Sequence, residues 1–174
     1  RMEKVKVGVI GCGNISGIYF KTMRDMYGDI LDVSACADID PTRAATRAAE
    51  NPGVQAMTVR HLLANPDIRL VVNLTVPEAH YPVSMSVLKA GKHEYGEKPL
   101  AITRTQGRRI LTLASRKRLL VGNAPDTFLG GGIQTCRKII DEGAIGTPVA
   151  AVAFMLCHGH ESWHPDPEFY YRRG

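Results

Sequence analysis

Lys6-Val7-Gly8-Val9-Ile10-Gly11-Cys12-Gly13-Asn14-Ile15-Ser16 sets two glycines two residues apart directly after an apolar β-type run, with a small residue at the third fingerprint position. The chemistry such a turn offers is phosphate recognition. Gly11 permits a sharp turn, Gly13 lets the backbone approach a pyrophosphate, and Ser16 allows the following helix to pack close to the strand. That helix then aims free N–H groups and the positive end of its dipole at the phosphates. Asp38 ends a second β-type run, Leu31-Asp32-Val33-Ser34-Ala35-Cys36-Ala37-Asp38, where a carboxylate can accept both hydroxyls of a ribose. The glycine spacing alone is a weak signal. Strand, helix and acid-ended strand together point to a dinucleotide. The acid favours NAD over NADP, because a carboxylate repels a 2′-phosphate, and Arg43 and Arg47 downstream can soften that preference.

A second candidate is Glu97-Lys98-Pro99, at the end of the short β-type run His93-Glu94-Tyr95-Gly96-Glu97. Doubly wound folds hold ligands beyond the C-terminal ends of their strands, which is where this lysine falls. Hydride transfer at a hydroxyl-bearing carbon needs a group that takes or gives the hydroxyl proton. A free lysine titrates at about 10.4, and burial or neighbouring positive charge brings such a group toward the working range of a base. The bland alternative is a solvated surface lysine.

A third cluster, His158-Gly159-His160-Glu161-Ser162-Trp163-His164, gathers three imidazoles and a carboxylate. Gly159, Pro165 and Pro167 imply an irregular loop with no helical metal pair, so no metal is expected. Lining of a substrate pocket by His160 and Trp163 is the favoured reading, with a plain structural loop still open. Trp163, Tyr170 and Tyr171 can stack on a sugar ring, though such rings equally often fill cores and interfaces.

These residues need a scaffold, and the pattern supplies one. Strands are expected at 5–10, 31–38, near 55–58, 68–75, 93–97 and 119–122, alternating with helices at about 15–27, 41–50, 59–65, 77–90 and 103–118. Asp40-Pro41 gives an N-cap followed by proline at the first helical position, Pro77 opens another helix, and Gly91 closes it. Thr103-Arg104-Thr105-Gln106 reads as a capping box. Alternating βα units make right-handed crossovers, so the fold class is α/β, a doubly wound parallel Rossmann sheet.

Beyond about residue 126 the pattern changes. Gly130-Gly131-Gly132 precedes a helical run through Arg137, Ile139 and Ile140 to Glu142, ended by Gly143. Val149-Ala150-Ala151-Val152-Ala153-Phe154-Met155-Leu156-Cys157 then reads as a long strand, apolar on both faces, that needs cover on each side. The expected organisation is a dinucleotide-binding domain over 1–126 and the beginning of a second α/β sheet domain, incomplete, over 127–174.

The 174 residues, 44% hydrophobic and 22% charged, suffice for one full core and part of another. Net charge is +5, but basic residues are scattered and not interleaved with aromatics, which argues against a nucleic-acid partner. Met2 reads as the native start after Arg1, with no signal-type leader and no apolar run of membrane-spanning length. A cytoplasmic protein without a membrane partner is therefore expected. Cys12, Cys36, Cys136 and Cys157 have neither C-x-x-C nor zinc spacing and read as small, reduced, buried thiols.

Four segments taken together resemble the Gfo/Idh/MocA family of NAD(P)-dependent oxidoreductases. They are Gly11-Cys12-Gly13-Asn14-Ile15, Ala37-Asp38-Ile39-Asp40-Pro41-Thr42-Arg43-Ala44, Asn73-Leu74-Thr75-Val76-Pro77-Glu78-Ala79-His80 and Gly91-Lys92-His93-Glu94-Tyr95-Gly96-Glu97-Lys98-Pro99-Leu100. The likeness covers essentially all of residues 4–157, and Glu97-Lys98-Pro99 is its most specific part. It implies a Rossmann domain followed by an open-faced sheet domain that binds a sugar, inositol or related polyhydroxy substrate and often joins homo-oligomers. It also implies that Gly11, Gly13, Asn14 and Ile15 meet the pyrophosphate, Asp38 the ribose and Arg43 the adenine side. Thr75, Pro77 and His80 then line the cofactor near its nicotinamide half. Glu97 and Lys98 face nicotinamide and substrate, with Lys98 catalytic and the Lys98–Pro99 bond cis. The family's downstream D-x-x-x-H-like element would fall beyond Gly174. The competing reading is a dinucleotide-binding sensor or regulatory module without turnover.

Overall fold

The structure, a computed structural model, describes residues 3–165 and 167–171, so the expected start at Met2 lies outside the described residues. Strands β1 (Val5–Ile10), β2 (Leu31–Ala37), β3 (Gln55–Ala56), β4 (Leu70–Asn73), β5 (His93–Gly96) and β6 (Val121–Asn123) form one parallel sheet in the order β3-β2-β1-β4-β5-β6. Parallel neighbours cannot be joined by tight turns, so each connection crosses a face of the sheet. Helices α1 (Ser16–Asp25), α2 (Pro41–Glu50), α3 (Val59–Ala64), α4 (Pro77–Lys89) and α5 (Arg104–Lys117) make those crossings. This is the doubly wound parallel sheet expected from the sequence. Strand order reverses between β1 and β4, the place where such sheets bind ligands.

Side-chain alternation divides the core between the two faces. Val7 and Val9 of β1 pack with Phe20, Met23, Cys36 and Ala44, whereas Ile10 packs with Leu62, Val71 and Val87. Strands covered on both sides carry nearly unbroken apolar sequence, and Asn73 in β4 and Glu94 in β5 are buried polar exceptions.

The cap signals position the loops. Asp40 accepts a hydrogen bond from the Thr42 amide at 2.9 Å, and Thr103 accepts one from the Gln106 amide at 3.2 Å. The expected capping box is only half formed, because Gln106 Oε1 is buried without a hydrogen-bond partner. Arg118 takes a left-handed φ of 55° and the Leu119 amide donates back to Ala114 O at 2.9 Å. The helix end therefore uses residue 119, and β6 begins at Val121 rather than at Leu119.

At the opposite end of the sheet Lys92 turns inward. Its Nζ donates to Asn65 O at 2.6 Å and Ile68 O at 2.7 Å, and burial lowers its pKa. Replacing it with Met keeps the stem and strands both carbonyls. Lys92→Met is expected to destabilise the fold by about 2–4 kcal/mol, the scale of two unpaired buried acceptors. Urea denaturation reads this directly, and an unchanged midpoint would mean that the carbonyls rehydrate freely.

Contacts divide the chain into two units, Arg1–Pro125 and Asp126–Gly174. The second contains helix α6 (Gly131–Asp141) and 3-10 turns at Thr127–Leu129, His160–Ser162 and Pro167–Tyr171. The strand expected over 149–157 is not formed. A strand exists only through its ladder, and no described residue offers this segment a partner; Val149, Met155 and Leu156 are 95%, 91% and 87% exposed. Cys136 and Cys157 are likewise exposed, not buried as expected, because α6 and the 149–157 segment lack a covering layer in this unit. Among the described residues no helix is long and apolar enough to cross a membrane.

Candidate functional site

Three loops at the C-terminal ends of β1, β2 and β4, together with the turn after β5, carry the residues singled out in the sequence. In the first loop, the Gly11 amide donates to Ala37 O at 2.9 Å and Gly11 adopts φ 99°. A Cβ there would stand 2.6 Å from the Leu74 carbonyl, so the fold itself requires glycine. Gly13 differs. Its φ is not left-handed and a Cβ would meet no protein atom within 4 Å. The fold does not demand glycine at 13, and the open space in front of it suits a ligand that approaches the backbone.

The Gly13 carbonyl is heavily engaged. It accepts from Ser16 Oγ at 2.6 Å and from Arg47 Nη2 at 3.2 Å, while Arg47 Nε donates to Ser16 Oγ at 2.8 Å. Across a trans peptide the N–H lies opposite the C=O, so fixing this carbonyl aims the Asn14 N–H the other way. Ile15 caps α1 without any side-chain hydrogen bond, and no acidic residue occupies the first turn. Asn14 and Ile15 are exposed. The helix start thus presents unpaired donors and positive dipole to an anion.

Asp38, half-buried after β2, accepts from the Cys12 amide at 2.7 Å through Oδ2 and from the Asp40 amide at 2.9 Å through Oδ1. Two backbone donors hold the carboxylate rigid, and each oxygen keeps a lone pair for a hydroxyl. Arg43 is exposed beside it and pairs with Asp40 at 3.6 Å. Cys12 and Cys36 are buried beneath this loop. Their thiols donate to Ala37 O at 3.6 Å and Ala44 O at 3.3 Å, and the neighbouring Cys36 side chain together with burial pushes the Cys12 thiol upward, so it stays protonated.

Beyond β4, Thr75 donates through its amide at 3.3 Å and its hydroxyl at 2.7 Å to Asn73 Oδ1, and Pro77 opens α4. His80 is buried, with Nε2 2.7 Å from Thr75 O and Nδ1 2.5 Å from Pro99 O. Beyond β5, the Lys98–Pro99 bond is cis, as the resemblance implied. Glu97 accepts from Tyr19 Oη at 2.8 Å and from the Lys98 amide at 2.8 Å. Asn123 Nδ2 donates to Gly96 O at 3.0 Å and Glu97 O at 2.8 Å. Lys98 is exposed, and its ammonium makes no hydrogen bond or ion pair among the described residues.

Gly11, Gly13, Asn14, Ile15 and Asp38 therefore gather on one side of the switch point, and Thr75, Pro77, His80, Glu97 and Lys98 on the other. Tyr19 and Asn123 were not singled out in the sequence. Tyr19 was findable, because it lies three residues after Ser16 and so on the same helix face. Asn123 carries no comparable signal. In the second unit His160 stacks on Tyr170 with ring centroids 3.8 Å apart and meets Trp163 edge-on at 5.4 Å. No group of three His, Cys, Asp or Glu among the described residues is arranged to hold a metal ion.

Residues 5–124 match the family described as "Oxidoreductase family, NAD-binding Rossmann fold". The chain belongs to the Gfo/Idh/MocA family. It is 34% identical over 149 residues to inositol 2-dehydrogenase/D-chiro-inositol 3-dehydrogenase of Lactiplantibacillus plantarum, covering 83% of this chain and 42% of that protein. It is 29% identical over 149 residues to 1,5-anhydro-D-fructose reductase of Ensifer adhaerens, covering 84% and 44%. Among solved structures, a 3-ketoreductase from Actinomadura kijaniata in complex with NADP aligns with TM-score 0.75 and 26% identity, covering 83% of this chain and 46% of that one. The chain thus spans a little under half the length of the family members it matches. Members of this family bind NAD or NADP on the Rossmann domain found here.

Proposed function

We propose that this chain is the cofactor-binding part of an NAD-dependent dehydrogenase that acts on a sugar, inositol or related polyhydroxy compound. The observation that carries this reading is the placing of Lys98. Its backbone is fixed and its ammonium unpaired at the C-terminal edge of the sheet, across the switch point from an anion-receptive turn. Gly13, Asn14 and Ile15 offer backbone donors to a pyrophosphate, and Asp38 offers acceptors to a ribose. A bound nicotinamide supplies the hydride acceptor or donor. Lys98 takes or returns the substrate hydroxyl proton at its Nζ, and Glu97 orients the turn through the Lys98 amide. His160 and Trp163, in the second unit, are the candidate substrate contacts there, and a homo-oligomer is expected of the whole protein. Free thiols at all four cysteines fit a cytoplasmic setting.

Oxidation of inositols and sugars by NAD+ with the complete enzyme, followed as NADH formed at 340 nm, tests the reading. Binding of cofactor without turnover on any polyol would replace it with a sensor. Cofactor choice is tested separately. Asp38 is expected to make NADP bind at least about 10-fold more weakly than NAD, because a 2′-phosphate would face a rigidly held carboxylate, and like charges so juxtaposed cost several kcal/mol. Titration of the chain with both reduced cofactors measures it. Equal or tighter NADPH binding would mean that Arg43, not Asp38, decides.

A further inference from the structure

Arg47 belongs to α2, yet its side chain leaves that helix and docks on the glycine turn. Its Nε donates to Ser16 Oγ at 2.8 Å, its Nη2 to Gly13 O at 3.2 Å and its Nη1 to Glu50 Oε2 at 2.7 Å. The protons balance. Ser16 gives its one hydroxyl proton to Gly13 O at 2.6 Å, so its Oγ keeps lone pairs to accept from Nε. Ser16 is buried and the Arg47 side chain is only 23% exposed, so water competes weakly for these bonds. Gly17 completes the seat. A Cβ there would stand 3.3 Å from Nη1, tighter than ordinary contact, so glycine leaves the room that the guanidinium fills. The sequence left Arg47 free to reach a 2′-phosphate; the structure engages each of its three side-chain nitrogens with protein acceptors instead.

Charge gives this arrangement its direction. A cation beside the first turn of a helix opposes the helix dipole. In α1 neither an acidic residue in that turn nor a side-chain cap offsets it, and Glu50, half-exposed, meets only the Nη1 edge. An anion held at the helix start reverses the sign of that interaction. We propose that Arg47 is a positioning residue for the cofactor's pyrophosphate, acting through the Gly13–Asn14 peptide and as a fixed positive charge behind the turn. The proposal rests on the reading that this turn meets the pyrophosphate. By holding the Gly13 carbonyl inward, the guanidinium keeps the Asn14 N–H aimed outward before any ligand arrives. A donor fixed in advance loses less freedom on binding than one that must be ordered by the ligand.

Adenosine and ADP, titrated into the chain by calorimetry, test this. ADP carries a pyrophosphate on the same nucleoside, so the ratio of the two affinities isolates what the turn contributes. The unaltered chain is expected to bind ADP more tightly than adenosine. Arg47→Ala is expected to cut that advantage by about 10-fold, the scale of a lost charge-assisted hydrogen bond, while adenosine affinity stays within about threefold. Gly17→Ala, which crowds the guanidinium, is expected to weaken ADP by about threefold with the urea midpoint no lower, since alanine suits a helix better than glycine. In the Arg47→Ala background the same change is expected to cost nothing further. An ADP advantage that survives Arg47→Ala would overturn the proposal, and so would equal losses of adenosine and ADP, the mark of a merely structural arginine. Should Arg47→Ala not fold, Gly17→Ala decides alone, and unchanged ADP binding there would overturn it. If the unaltered chain binds adenosine and ADP alike, the pyrophosphate reading itself fails and takes the proposal with it.

Discussion

Gly11→Ala is expected to destabilise the first unit by about 2–6 kcal/mol and to abolish cofactor binding, whereas Gly13→Ala leaves the fold intact and loses only the cofactor. Two separate costs meet at Gly11. Its φ of 99° lies in the region that side chains avoid, a strain of about 1–3 kcal/mol. The added Cβ would also stand 2.6 Å from Leu74 carbonyl atoms, which belong to backbone anchored by the Leu74 amide on Ile10 O at 2.8 Å. Backbone so held cannot swing away as a side chain would, and overpacking of that kind adds about 1–3 kcal/mol. Against a total stability of about 5–15 kcal/mol, the loss is severe. At Gly13 neither cost applies, since a Cβ meets no protein atom within 4 Å. That methyl group instead intrudes where a pyrophosphate must approach. Chemical denaturation with NADH titration of both variants separates the two roles. Equal destabilisation by the two substitutions, or normal NADH binding by Gly13→Ala, would show that the turn is read wrongly.

The residues that made the fold legible act locally. Asp40-Pro41, Pro77 and Gly91 start or stop helices through their own backbone chemistry, and the structure uses each as written. The positions of Gly11 and Asp38 were legible because a turn and a strand end close in sequence fix them. What could not be read involves distant partners. Arg47 reaches the Gly13 carbonyl across 34 positions, and Tyr19 reaches Glu97 across 78. His80 showed its presence in the sequence but not its two carbonyl partners, one of them 19 residues away. The apolar run 149–157 fails for the opposite reason. Its residues have the composition of a covered strand, but composition specifies an appetite for a ladder and cannot provide the neighbouring strand.

Lys98→Ala is expected to reduce turnover of the complete enzyme by about 10²-fold or more, the usual contribution of a positioned proton-transfer group, or about 2.7 kcal/mol of transition-state stabilisation. The fold is expected to be untouched. Lys98 is exposed and its ammonium has no partner among the described residues, so its removal strands nothing, and such surface changes stay within about 0.5 kcal/mol. NAD affinity is expected to change less than about threefold, because the pyrophosphate and ribose contacts proposed above lie at the glycine turn, the start of α1 and Asp38. A selective fall in kcat therefore isolates chemistry from binding. Lys98→Arg sharpens the test. Arginine keeps the positive charge but holds its proton permanently at neutral pH, so it can attract an alkoxide yet cannot exchange a proton with it. If the lysine transfers the hydroxyl proton, Lys98→Arg is as slow as Lys98→Ala. If it serves only as a fixed positive charge, Lys98→Arg recovers most of the rate, and proton transfer must be assigned to another residue. Steady-state kcat and KM for both variants, with NADH binding measured on the same preparations, distinguish these cases.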